Sequence, residues 1–190
     1  QIAWTHCLGM HLRKLESNKV TKKWLSQKDF ESIKNQANKP LCILAQQAQS
    51  INQLHQNGEL DKFSQIQIEN TLARLTASMG KCERIKNTVF PPIYRYGLHG
   101  SIYLFVIFLS LSVAFKLQHF ILEFSILVIV SIAFFFLEKA AFRLQDPFEN
   151  RPTDTPMTSI AENIESNIKE LLNQDISSIE NNSVHKFYIK

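Results

Sequence analysis

The apolar positions of the chain form two kinds of pattern, a helical periodicity towards both ends and two nearly unbroken apolar runs between them. At the start, Ile2, Leu8, Leu12 and Leu15 fall near one face and predict an amphipathic helix over residues 2–15. Ser26-Gln27-Lys28-Asp29 has the form of a capping box with Asp in the last place, so a short helix is expected through Phe30 and Ile33 towards Ala37. Pro40 marks the first turn of the next helix, where its missing N–H is not needed, and Leu41, Leu44, Ala48 and Ile51 continue it. Gly58 stands where a left-handed residue closes the last turn.

From Lys62 to Thr88, the residues Ile68, Leu72, Leu75, Met79 and Cys82 recur at alternating steps of four and three and predict a packed helical stripe. With each residue turned about 100° from the last, Ile66 falls opposite that stripe, near Ala73, Ala77, Gly80 and Arg84. Phe90-Pro91-Pro92 ends the helix, since successive prolines remove donors and disfavour helical backbone before them.

Two apolar runs follow, Gly97 to Phe115 with only His99 readily ionisable and Phe120 to Leu137 with only Glu123. Each approaches the length that crosses a bilayer. Lys116 to His119 leave room only for a tight antiparallel hairpin, so both outer ends face one side. Lys81, Arg84, Lys86, Arg95, Lys139 and Arg143 flank those ends and assign that side to the cytoplasm. Beyond a polar loop from Arg151 to Pro156, Ile160, Ile164, Ile168 and Leu171 predict the buried face of a last helix. The tail from Asp175 to Asn182 is polar and expected to be loosely ordered. The expected organisation is a cytoplasmic helical region over 1–90, a transmembrane helical hairpin over 91–138, and a cytoplasmic C-terminal loop and helix over 139–190.

Composition narrows this picture. In 190 residues, 45% hydrophobic content suffices for a core, and only 5 glycines and 6 prolines favour an all-α fold. The net charge of +4 is spread among acidic residues, which argues for a lipid bilayer as partner and against nucleic acid. Cys7, Cys42 and Cys82 have neither zinc-site spacing nor an even disulfide set and are expected to be reduced, buried thiols facing a cytoplasmic environment. The opening Gln1 carries no initiator Met or leader pattern, so the chain is expected to be the later part of a longer one.

Candidate chemistry is sparse. His6 and His11, five apart, point away from one another on a helix, and no carboxylate is expected to complete a ligand set with them. Asp146, Glu149 and Asp154 are interrupted by Pro147 and Pro152 and read as a solvated loop rather than a calcium site. Glu123, four residues past His119, reads as an interfacial acid reaching for water. No phosphate loop or nucleophile motif is present, so no catalytic residue, cofactor or metal is expected. Ile66 is open to two readings: a steric constriction if several copies of its helix surround an axis, or a singly exposed apolar residue.

Several stretches, taken in order, resemble the bacterial bestrophin-like channels: Asn38 to Leu44 (NKPLCIL), Cys82-Glu83-Arg84-Ile85 with Asn87-Thr88 and the Phe90 to Pro92 break, Gln145-Asp146-Pro147-Phe148, and Asp154-Thr155-Pro156-Met157. The resemblance spans nearly the whole chain. It implies a homo-oligomer, a pentamer around a central path for permeating ions, in the cell membrane as a multi-pass protein. Of its four membrane helices per subunit the last two are expected here, without the hydrophobic neck of an earlier one. By the same resemblance Ile66 falls near the cytoplasmic pore constriction and chloride or another anion is the expected ion. Cation selectivity in the same fold, or a membrane-anchored helical scaffold without a pore, are the alternatives. Relatives that bind calcium use an acidic run after the Pro-Phe motif; Glu149-Asn150-Arg151-Pro152 departs from it, so calcium activation is not expected.

Overall fold

A computed structural model describes residues 1–88, 91–116 and 120–174; of Glu123 and residues 113–116 and 120 it describes the backbone. The expected turn over 117–119, Phe90 of the proline break, the side chain of Glu123 and the tail from Asp175 onward lie outside the described residues. The fold is all-α, with α1 (Ile2–Leu12), α2 (Asn18–Trp24), α3 (Gln27–Ile33), α4 (Lys39–Gln56), α5 (Lys62–Asn87), α6 (Pro92–Lys116), α7 (Phe120–Arg143) and α8 (Met157–Leu171). These form two compact units: residues 88–146, which contain the α6–α7 pair, and the remainder of the chain.

In the larger unit α1 is the centre, packed against α2, α4, α5 and α8. Its buried side chains, Trp4, Cys7, Leu8 and Leu12, meet Ile33, Ile43, Leu44, Leu72, Met79 and Phe148 in one core. Burial pushes the Cys7 thiol above its ordinary value, which keeps it protonated and unreactive. Local signals set the helix ends. Ser26 accepts from Asp29 N at 3.2 Å as the cap of α3. At the end of α4, Gly58 takes φ +76° while Gly58 N reaches His55 O at 3.0 Å and Glu59 N reaches Leu54 O at 2.9 Å. This is the paired bonding of a Schellman close, which glycine enters without steric cost.

Three expectations shift. The first helix stops at Leu12, because Lys14 turns to φ 57° and Leu15 N returns to Met10 O at 2.9 Å, leaving Leu15 exposed beyond the close. Leu72, Leu75, Met79 and Cys82 pack on the core as expected, but Ile68 is exposed towards the free end of the stripe. The buried line of α8 is Ala161, Glu165 and Lys169; Ile160 and Leu171 are exposed and Ile164 and Ile168 half-buried. The helix is rotated by about one position because its two charged residues find partners inside, as described below.

In the smaller unit α6 and α7 pack through rings, with Tyr103 5.7 Å from Phe135 and Phe105 4.9 Å from Phe134 between centroids. Among the described residues one helical stretch, Phe124–Arg143, is long and apolar enough to cross a membrane. The helix that carries the first expected span, α6, is the less apolar of the two.

Candidate pore face and its supporting framework

The helix that carries Ile66 is capped at its start and tied to neighbouring helices near its end. At its start the carboxylate of Asp61 accepts from Phe63 N at 2.9 Å and from Ser64 N at 3.0 Å, which satisfies two donors the helix leaves open. Hydrogen bonds from Ser64 and Phe63 hold the Asp61 carboxyl below its usual value. Near its end Glu83 accepts from Asn38 Nδ2 at 2.8 Å and lies 3.3 Å from His11 Nε2, tying α5 to α4 and α1.

Between these ends α5 has two faces of different character. Leu72 and Met79 are buried, whereas Ala73, Ala77, Gly80 and Arg84 are exposed together with Ile66, which is 46% exposed. The sequence-predicted site residue therefore stands on the outer face. Along that line Ile66 is the one bulky apolar side chain, and a side chain without charge or lone pairs can act only by occupying space and excluding water.

Asn38 does two things at once. Its Oδ1 caps α4 by accepting from Leu41 N at 3.1 Å, while its Nδ2 serves Glu83. Asn38→Ala is expected to cost about 1 kcal/mol for the cap, read as roughly fivefold faster amide exchange in the first turn of α4 of the full-length protein. Asn38→Asp keeps an acceptor for Leu41 N but sets a carboxylate against Glu83, so at neutral pH it should loosen the α4–α5 contact as well; equal exchange in all three proteins would remove this role.

The two histidines are not brought together. His6 Nε2 lies 2.9 Å from Glu165 Oε2, and His11 pairs with Glu83, so each is a clasp between helices. Sequence reading missed both partners because they are far along the chain. No group of three or more His, Cys, Asp or Glu suited to a metal occurs among the described residues. In the loop after α7, the Asp154 carboxylate accepts from Arg151 N at 3.0 Å, Glu149 pairs with the Arg151 side chain, and Thr155 N donates to Pro147 O at 2.9 Å. Glu149 and Asp154 thus have local partners, and Phe148 is buried in the core.

With this geometry in view, the sequence matches a family described as Bacterial/Fungal Bestrophin protein over residues 1–170. It is 32% identical over 174 residues to the voltage-dependent anion channel-forming protein YneE of Escherichia coli K12, covering 90% of this chain and 56% of that protein. A second protein named as voltage-dependent anion channel-forming, RSc3414 of Ralstonia nicotianae, is 24% identical over 172 residues, covering 90% of this chain and 56% of that one. A solved bacterial bestrophin homologue from Klebsiella pneumoniae superposes with a TM-score of 0.82 at 26% identity, over 92% of this chain and 64% of that one. The chain thus spans a little over half the length of these curated relatives.

Proposed function

The chain belongs to the bacterial and fungal bestrophin family, and from that premise we propose that its full-length protein is a subunit of a homo-pentameric channel that conducts anions passively across the cell membrane. The membership sets it among channel proteins rather than enzymes. One observation carries the proposal: the family match runs through residues 1–170 and so takes in both the outer face of α5 and the apolar helix α7.

The surface of α7 supports a bilayer. Ile129, Ile132, Phe136 and Leu137 are all exposed, a continuous apolar flank that water disfavours and hydrocarbon does not. The 20 residues of Phe124–Arg143 extend about 30 Å as a helix, the thickness of a hydrocarbon core. In this reading α6 is the second span, the protein is multi-pass, and the cationic ends of α5, α6 and α7 lie in the cytoplasm.

In the pentamer five copies of α5 face the axis, and Ile66 forms a ring that narrows the cytoplasmic path. An isoleucine ring restricts flow by size and by dewetting, so Ile66→Ala is expected to raise ion flux several-fold. The test is flux through liposomes holding the full-length protein, parent against variant, under separate chloride and sodium gradients. Flux that follows chloride supports the anion channel, and flux that follows sodium replaces it with a cation channel. An unchanged rate in the variant removes Ile66 from the constriction. No flux in either protein, once inserted, would leave a scaffold without a pore.

A further inference from the structure

Between the start of α6 and the end of α7 lies a cavity of about 520 Å³, lined by Arg95, His99, Phe135, Glu138, Lys139 and Phe142. Helical spacing gathers them: Arg95 and His99 are one turn apart on α6, and Phe135, Glu138, Lys139 and Phe142 share one side of α7. The carboxylate in this cavity lies beside a histidine. Glu138 is 8% exposed, and its Oε1 lies 2.5 Å from His99 Nδ1 without making a hydrogen bond of ordinary geometry.

The cations are placed differently. The Arg95 guanidinium carbon sits 5.2 Å from the centre of the Phe142 ring, a contact that fixes the plane of the group and leaves its N–H fork available. Lys139 is exposed beside it. Apolar surface and charge change over at this level: Phe136 and Leu137 are exposed on the apolar side of Lys139, and Tyr94 and Tyr96 are exposed on either side of Arg95. Tyrosine and cations at the edge of an apolar helix mark headgroup depth.

We propose that Arg95 and Lys139 bind the phosphate of an anionic phospholipid, with the headgroup in this cavity and the acyl chains along the exposed flank of α7. The inference rests on the membrane-spanning reading of α6 and α7. Charge complementarity selects the ligand: two cations, Arg95 and Lys139, line the cavity against its one carboxylate. The volume accommodates a glycerophosphate headgroup. The adjoining apolar flank favours a lipid over free phosphate, because only a lipid uses both surfaces.

The test titrates fluorescent phosphatidylglycerol onto detergent-purified full-length protein. Arg95→Gln with Lys139→Gln is expected to weaken binding about thirtyfold, each cation near an anionic lipid surface contributing about fivefold. Lys139→Gln alone, at an exposed position, should give about a fivefold loss with unchanged helix content. Arg95→Lys with Lys139→Arg keeps the charges and should keep most of the affinity. The same loss of charge at Lys62 and Arg74 on α5 should leave binding unaltered. Phosphatidylglycerol binding that ignores the Arg95 and Lys139 substitutions overturns the site. So does displacement of the lipid by inorganic phosphate as effective as by unlabelled phosphatidylglycerol. Alkaline extraction of membranes tests the premise separately: a protein that washes off defeats the membrane-spanning reading and this site together, whereas one that stays but binds without Arg95 and Lys139 defeats the site alone.

Discussion

Glu165→Ala is expected to free α8 from α1 at a cost of about 3 to 5 kcal/mol, the range for removing one partner of a buried charge pair. Glu165 is 5% exposed, and its two oxygens are divided between partners from different places: Lys169 Nζ donates to Oε1 at 2.7 Å, and His6 Nε2 lies 2.9 Å from Oε2. Lys169 is itself buried and lies 5.1 Å from the Trp24 ring centre, so the carboxylate joins α8 to α1 within reach of α2. Without it the buried charge of Lys169 loses its i−4 acceptor, and the helix gains by turning outward. The measurement is native-state hydrogen exchange on the full-length protein, in which α8 amides and their α1 neighbours should exchange at least a hundredfold faster than in the parent. Burial alone raises the Glu165 pKa, but the hydrogen bonds and charges of Lys169 and His6 outweigh it and hold the carboxyl below its ordinary value. A folded pKa below the unfolded one contributes stability that is present above about pH 4.3 and lost as the pH falls through the folded value. Acid should therefore erode α8 protection in the parent more than in Glu165→Gln. Equal exchange in parent and Glu165→Ala at neutral pH would mean that the pair holds nothing.

What could be read from the sequence was local. The Ser26 cap, the helix start at Pro40 and the close at Gly58 depend on residues within one turn, and each stands where the pattern places it. The packed stripe of α5 follows from periodicity, and so does the outward position of Ile66. The seven residues of α2 were missed because its buried position is Thr21, a polar residue whose hydroxyl donates to Ser17 O at 2.9 Å. The face of α8 was misplaced because hydrophobicity assigns burial to isoleucine, whereas a charge with partners can be buried in its stead. One of those partners is not local: His6 and Glu165 are 159 residues apart, whereas Lys169 lies one turn from Glu165. The same holds for the motifs that carry the family resemblance. Asn38 and Glu83 can be seen in sequence as parts of two motifs, but that one hydrogen-bonds the other is a property of the folded chain.

The Gln145 to Phe148 and Asp154 to Met157 motifs are likewise parts of one device, and Phe148→Ala should expose it. Phe148 is 5% exposed and belongs to the core built around Trp4, Leu12, Ile43 and Met79. The backbone around it is set by the second motif: Thr155 N donates to Pro147 O at 2.9 Å, and Asp154 accepts from Arg151 N at 3.0 Å. Asn150 takes φ 67°, a left-handed turn that asparagine tolerates better than most residues. The loop is thus folded back on itself so that one ring plugs the core. Removing a buried phenylalanine costs about 3 to 5 kcal/mol, and here it should also loosen the loop that leads into α8. Both tryptophans of this sequence, Trp4 and Trp24, belong to this unit, so the share of the fluorescence that they contribute follows its unfolding. With a urea dependence of about 1 to 3 kcal/mol per molar, the fluorescence midpoint should fall by at least about 1 M in Phe148→Ala. Phe148→Leu, which refills most of the space, should recover the larger part. Asp154→Ala should lose only about 1 kcal/mol, the share of a single capping bond. A midpoint unmoved by Phe148→Ala would show that the motif does not contribute to the core; a fall of the expected size makes packing sufficient to explain it without a bound ion.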